Sequence, residues 1–271
     1  MNYIRVSGEN KSEFASILPE VFSDGKGVSL VAYDDDGTVC GAVSLSYAGY
    51  QYNVDWLYVT PERRREKIAT GLLKEVRRMV DSVGICPISV RFDATEDNGL
   101  YDFFLSVSNP DMPIDVDYAY DRYIVSAEDF IGAEVMKKNA EMDYVPVYLF
   151  EMEGEQREKA FDKAMEHLIV SDPEAFEESC VKELCLAVEK DDEILALMIV
   201  QKEVEDDLHL SYLYSVDGKT LMSILLPAAK VVKKSYRGYS ISFDAVTEAA
   251  SLLAGKFFPN ADKRLIYEAE I

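Results

Sequence analysis

Histidine is nearly absent from this chain: among 271 residues only His167 and His209 occur. Neither belongs to an HExxH pair or a His/Cys cluster, and there is no GxSxG elbow, so zinc and serine hydrolases find no motif here. The four cysteines, Cys40, Cys86, Cys180 and Cys185, lie in apolar surroundings without CxxC spacing. Reduced, buried thiols are expected, and no metal. No apolar run approaches the ~20 residues of a membrane span. The first residues, MNYIRVSGENKSEF, lack the apolar core and small-residue cleavage site of a secretion signal. A soluble, cytoplasmic protein is expected. Cations are scarce too: 28 Lys and Arg face 50 Asp and Glu, for a net charge of −22. Such a field repels nucleic acids and anionic membranes, so neither is an expected partner. It either serves solubility or draws in cationic acceptors such as polyamines, aminoglycosides or lysine-bearing peptides.

The few cations are not spread evenly. Arg63, Arg64, Arg65 and Lys67 crowd into one turn. Before it, Val54 to Val59 is a short apolar, aromatic and β-branched run that favours a strand. Thr60 and Pro61 end it, because proline has no amide to give a ladder. After it, Ile68, Leu72, Leu73, Val76, Met79 and Val80 recur at helical spacing. Strand, basic turn and helix N-terminus together make an anion cradle, since the free amides and the positive end of the helix dipole favour a phosphate.

The same residues carry a family resemblance. Val59, Pro61, Arg64, Lys67 and Ala69, followed by Leu72 and Leu73, resemble the V-x-P-x-x-R-x-x-G-x-G/A motif of GCN5-related N-acetyltransferases, the GNAT family. Lys67 departs from it, standing at the motif's first glycine. The resemblance implies an α/β fold with a mixed α+β sheet and acetyl-CoA as cosubstrate, without a metal. By that resemblance the backbone of Leu57, Tyr58 and Val59 would hold pantetheine. Arg64, Arg65, Lys67, Ala69 and Thr70 would surround the pyrophosphate, with Arg63 reaching the ribose phosphate. Asp55 is the candidate base for an amine acceptor. The family's thiolate-protonating tyrosine falls on Leu105, which leaves Tyr101, one helical turn earlier, as the candidate acid.

Around this centre the pattern predicts a strand at residues 2–6 and a short helix over 13–21. A hairpin follows at 28–33 and 39–47 about the Asp34-Asp35-Asp36-Gly37 turn. A further strand is expected at 88–92, a helix at 97–105 and a strand at 123–125, giving a mixed sheet with helices on both faces. Pro110 to Asp121 reads as an exposed loop, and 127–140 and 155–168 as joining helices. The second half echoes the first: Val90-Arg91-Phe92-Asp93-Ala94 returns as Ile241-Ser242-Phe243-Asp244-Ala245, and Tyr212-Leu213-Tyr214 parallels Trp56-Leu57-Tyr58. The expected modules are residues 1–126, a helical linker over 127–170, and a degenerate copy over 171–271. That copy has Asp217 and no arginine at the equivalent turn, and an apolar helix over 221–232 interrupted by Pro227. It would bind no anion, and would wall the acceptor cleft or mediate a homodimer. Two functions follow: acetyl transfer to a primary amine of a small molecule or peptide, or a non-catalytic acyl-CoA-binding or regulatory protein.

Overall fold

Turn signals and apolar runs become paired strands in the computed structural model, which describes residues 1–18, 27–47, 51–84, 86–95, 99–108, 119–137, 144–168, 173–202 and 205–271. In chain order the first elements are β1 (Asn2–Val6), β2 (Val28–Tyr33), β3 (Val39–Tyr47), β4 (Tyr52–Val59), α1 (Ile68–Val83), β5 (Ile88–Asp93) and α2 (Leu100–Val107). Then come β6 (Tyr120–Ser126), α3 (Ala127–Gly132), α4 (Glu134–Lys137), β7 (Val147–Tyr148), α5 (Gly154–Met165), α6 (Pro173–Ser179) and β8 (Leu186–Lys190). The chain ends with β9 (Glu193–Gln201), β10 (Asp207–Ser215), α7 (Gly218–Ser235), β11 (Ser240–Ala245), α8 (Glu248–Phe257) and β12 (Asp262–Glu270). Contacts divide the chain into two units, Met1–Ala119 with Ile266–Ile271, and Tyr120–Leu265.

In the first unit β1 to β4 form an antiparallel meander, β4 runs parallel to β5, and β5 pairs antiparallel with Ile266–Glu270 of β12. The acidic turn between β2 and β3 holds itself: Asp34 Oδ1 accepts from the amides of Asp36 and Thr38 at 3.1 and 2.9 Å, and Gly37 takes φ +80°. One sheet face packs Leu30, Val43, Leu45, Val90 and Phe92 against Ile68, Leu72, Leu73, Val76 and Val80 of α1 and Phe104 of α2. Full burial of a leucine such as Leu72 contributes about 2–3 kcal/mol. The other face carries Val31 and Ala42 under Phe14, Ile17 and Leu18, and Trp56 Nε1 donates to the Ile17 carbonyl at 3.1 Å. The helix expected over 13–21 is a 3-10 turn at Lys11–Phe14, and residues 19–21 lie outside the described set. So does most of the Pro110 to Asp121 loop, along with residues 97 and 98 of the expected second helix and residues 138–140 of the first joining helix.

In the second unit the strand order is β6-β11-β10-β9-β8-β7. Along β9, Ala196, Met198 and Val200 face a core with α7 and Phe130 of α3, while Leu197 and Ile199 face Ala160 and Ala164 of α5. Period-two alternation thus gives this sheet two buried faces. Three sequence expectations are corrected. The boundary at 126 moves, because β6 bonds along its length to β11, reinforced by a two-pronged Arg122–Asp244 pair at 2.6 and 2.8 Å, while Ile266–Ile271 bonds to β5. The joining helices are not a free linker, since Phe130, Ala160 and Ala164 are buried in the second unit's cores. Pro227 does not interrupt its helix: α7 runs through it, with Leu221, Ile224 and Leu225 before and Ala228, Ala229 and Val232 after all buried. Packing on both sides outweighs the ~3 kcal/mol that an interior proline costs.

Close approach of α1 to β3 depends on Gly41, where an added Cβ would lie 2.8 Å from the Tyr58 carbonyl oxygen and 3.1 Å from Ile68 Cγ2. Gly41→Val is therefore expected to destabilise the protein by about 1–3 kcal/mol. A denaturant-unfolding midpoint equal to the parent's would refute that packing.

Candidate functional site

The site begins where two strands stop pairing. β4 and β5 are in register at Tyr52–Ile88, Asn53–Ser89 and Val54–Val90, and there the ladder ends. Beyond that point β4 continues along β3 from Trp56–Ser44 to Val59–Gly41, and β5 continues along β12. The register between β3 and β4 shifts at the same place: Val54 opposes Leu45 and Trp56 opposes Ser44, so Asp55 is the extra residue of a bulge. A bulge bends its strand, which is how β4 leaves β5. The facing edges of Leu57, Tyr58 and Val59 thus border a slot, where the Val59 carbonyl accepts from Arg64 Nε at 3.3 Å.

β4 leads through residues 60–67 into α1. Arg65 and Lys67 both adopt the left-handed conformation, at φ +69° and +63°. Lys67 therefore keeps the backbone that the motif's glycine would favour, at a cost of roughly 1–2 kcal/mol. It is the N-cap of α1 and its side chain caps nothing. Among the described residues none of the amides from Arg65 to Thr70 donates to a protein acceptor, the first internal bond being Gly71 N to the Lys67 carbonyl at 2.9 Å. Alternating backbone conformations and open amides at a helix start form an anion nest. The side chains of Arg64, Arg65 and Lys67 are exposed around it and form no ion pair among the described residues.

Arg63 behaves differently from its neighbours. Its Nη1 meets Asp34 Oδ2 at 2.9 Å and the Cys40 thiol at 3.3 Å, and its Nε meets Glu66 Oε2 at 2.8 Å. It bolts the basic turn to the β2–β3 hairpin, so the residue expected to reach a ribose phosphate is held by two carboxylates. Hydrogen bonds from the turn amides and Arg63 hold the Asp34 carboxyl below its ordinary range, and Glu66 and Asp34 raise the Arg63 pKa. Sequence reading missed Asp34, which looked only like a turn residue; nothing local announces a partner 29 positions away.

Asp55 stands at the mouth of the slot, with Ser46 Oγ donating to its Oδ1 at 3.0 Å. Its surface is exposed, yet the protein around the bulge withholds enough solvent to raise its pKa, and Ser46 offsets part of that push. Tyr101 instead packs edge-on against Tyr267 with ring centres 5.3 Å apart, and its hydroxyl makes no hydrogen bond among the described residues. Leu105, at the family's tyrosine position, is 49% exposed.

The chain is similar to known proteins in sequence and in fold. Residues 5–104 match the model of the acetyltransferase (GNAT) family. That part of the chain is similar to a GNAT domain. A tandem GNAT protein from the clavulanic acid biosynthesis pathway, solved without acetyl-CoA, superposes with a TM-score of 0.68 at 12% identity, covering 99% of this chain and 98% of that one. A GCN5-related N-acetyltransferase from Sphaerobacter thermophilus gives 0.59 at 13% identity, covering 99% and 95%. One from Anabaena variabilis gives 0.54 at 14%, covering 98% and 72%. At these identities the superpositions establish the fold: two tandem GNAT modules. Among curated proteins none matches the sequence. The GNAT family is one of acyltransferases that generally draw on acetyl-CoA.

The Arg63–Asp34 pair ties the basic turn to the β2–β3 hairpin. Asp34→Asn keeps the turn acceptor but removes the charge, and is expected to weaken inorganic pyrophosphate binding several-fold. Because the Asp34 pKa is lowered, its support should persist above the ordinary carboxyl range and disappear as pH falls through the lowered value. Calorimetry with equal affinity for both proteins would remove Arg63 from the cradle's support.

Proposed function

We propose that the first module transfers acetyl from acetyl-CoA to a primary amine by direct attack. One observation carries this reading: the ladder between β4 and β5 ends at Val54–Val90, beside the Asp55 bulge and directly upstream of an anion nest. Pantetheine would lie along Leu57, Tyr58 and Val59. Its pyrophosphate would sit on the amides of Ala69 and Thr70 and between Arg64, Arg65 and Lys67, with Arg63 holding the turn from behind. The amine nitrogen attacks the thioester carbon, the C–S bond breaks, and coenzyme A leaves as thiolate. Asp55 takes the proton released from the amine, while solvent protonates the thiolate. Leu105 supplies no acid, and Tyr101 is held in the aromatic contact with Tyr267. The acidic surface favours a cationic acceptor.

A non-catalytic acyl-CoA-binding protein is the second reading, favoured by the leucine at position 105. Coenzyme A thiol release across polyamines, aminoglycosides, amino acids and peptides separates the two: heat on acetyl-CoA addition with silence across the panel selects the binder.

Two variants divide the site into its functions. Arg64→Glu puts a negative charge beside the pyrophosphate, and is expected to weaken coenzyme A binding by about tenfold or more. An unchanged dissociation constant places the nucleotide elsewhere. Asp55→Asn should lower kcat by about 100-fold and leave coenzyme A affinity as it is. In the parent, kcat/KM should rise with pH as Asp55, with its raised pKa, and the amine lose their protons. A variant with parental kcat would take the base role from Asp55.

A further inference from the structure

The second module repeats the geometry of the first up to the anion seat and then departs from it. β10 and β11 run parallel from Asp207–Ser240 to Leu210–Phe243 and then separate. Against β9 the register slips between Leu210 and Tyr212, making Ser211 the bulge residue, the counterpart of Asp55. In the first module residues 60–67 join strand to helix; here only Val216 and Asp217 do. No left-handed nest forms across that junction, and two amides at the start of α7 are taken. Asp217 Oδ1 accepts from the amides of Lys219 and Thr220 at 2.9 and 2.8 Å. The hydroxyl oxygen of Thr220, a fully buried residue, accepts from the Asp217 amide at 3.3 Å and lies 2.6 Å from Ser215 Oγ.

We propose that Asp217 is the residue that confines the nucleotide to the first module: its carboxylate occupies the seat that a pyrophosphate would take at the start of α7. The oxygen arrives on the chain itself, bound to the same kind of amides a phosphate oxygen would use, and it repels any anion that approaches. Its lowered pKa, set first by the Thr220 amide and hydroxyl, keeps the charge in place. Two equivalent slots are thereby reduced to one cofactor per chain. The assignment is independent of whether the first module transfers acetyl.

The test starts with calorimetric titration of the full chain with coenzyme A. One site per chain is expected, lost in Arg64→Glu; two sites overturn the proposal. Asp217→Ala is then made in the Arg64→Glu background and its thermal unfolding followed with and without inorganic pyrophosphate. The Tm should fall by about 2–4 °C without the anion. Pyrophosphate should restore part of that loss, and should not shift the Arg64→Glu parent. Absence of any such recovery overturns the proposal. Should Asp217→Ala fail to fold, Asp217→Ser, which keeps a capping hydroxyl, takes its place with the same expected recovery. No heat from coenzyme A in the wild-type chain would sink both readings of the first module, leaving the pyrophosphate arm to decide Asp217.

Discussion

The parting of β4 from β5 is the constraint on which the first module depends. A central strand that gives up its neighbour leaves backbone donors and acceptors unmatched, and those groups are costly inside a fold unless something meets them. Three features enforce it. The Asp55 bulge bends β4, pairing with β3 holds it to Val59, and α1 pressed onto Gly41 keeps that side closed. β5 is drawn the other way by Ile266–Glu270 of β12, whose end is tied by the Ile271 amide to the Ile88 carbonyl at 2.9 Å and by Arg77 to the Ile271 carbonyl at 3.1 Å. On the proposed function, a ligand with amides along an extended chain would supply what each strand lacks.

The basic turn divides its labour by burial. Arg63 spends its guanidinium on Asp34 and Glu66 and is structural, while Arg64, Arg65 and Lys67 stay exposed on the open nest. A carboxylate partner fixes the turn without neutralising it, since three further cations remain. Lys67 extends this logic. Glycine would take the left-handed backbone without strain, whereas lysine takes it with strain and adds a charge beside the amides.

Much of this was legible in the sequence. The strand, the basic turn and the helix stripe after Val54 are local patterns, and local patterns determine which backbone groups are free. The repeated Val90 to Ala94 and Ile241 to Ala245 segments were legible for the same reason, and they became β5 and β11, in equivalent places. Long-range partners were not. Neither the Asp34–Arg63 pair nor the exchange of β6 and β12 between the units leaves a trace in spacing, because a strand's own residues do not say which edge it will bond. Pro227 misled for a related reason: propensity measures one residue, while the buried face of α7 extends over several turns.

The two halves share a geometry and differ at one element. Each module has a bulge, a parted strand pair and a helix start, and that helix start is open in one and filled in the other. In the first, a long turn leaves the amides of α1 open and surrounds them with cations. In the second, shortening the turn brings Asp217 onto the amides of α7, which caps the helix from within. An open helix start is a binding site at the expense of stability, and a capped one is the reverse. The same physical element is thus open in one copy and capped in the other, and a single aspartate marks which is which.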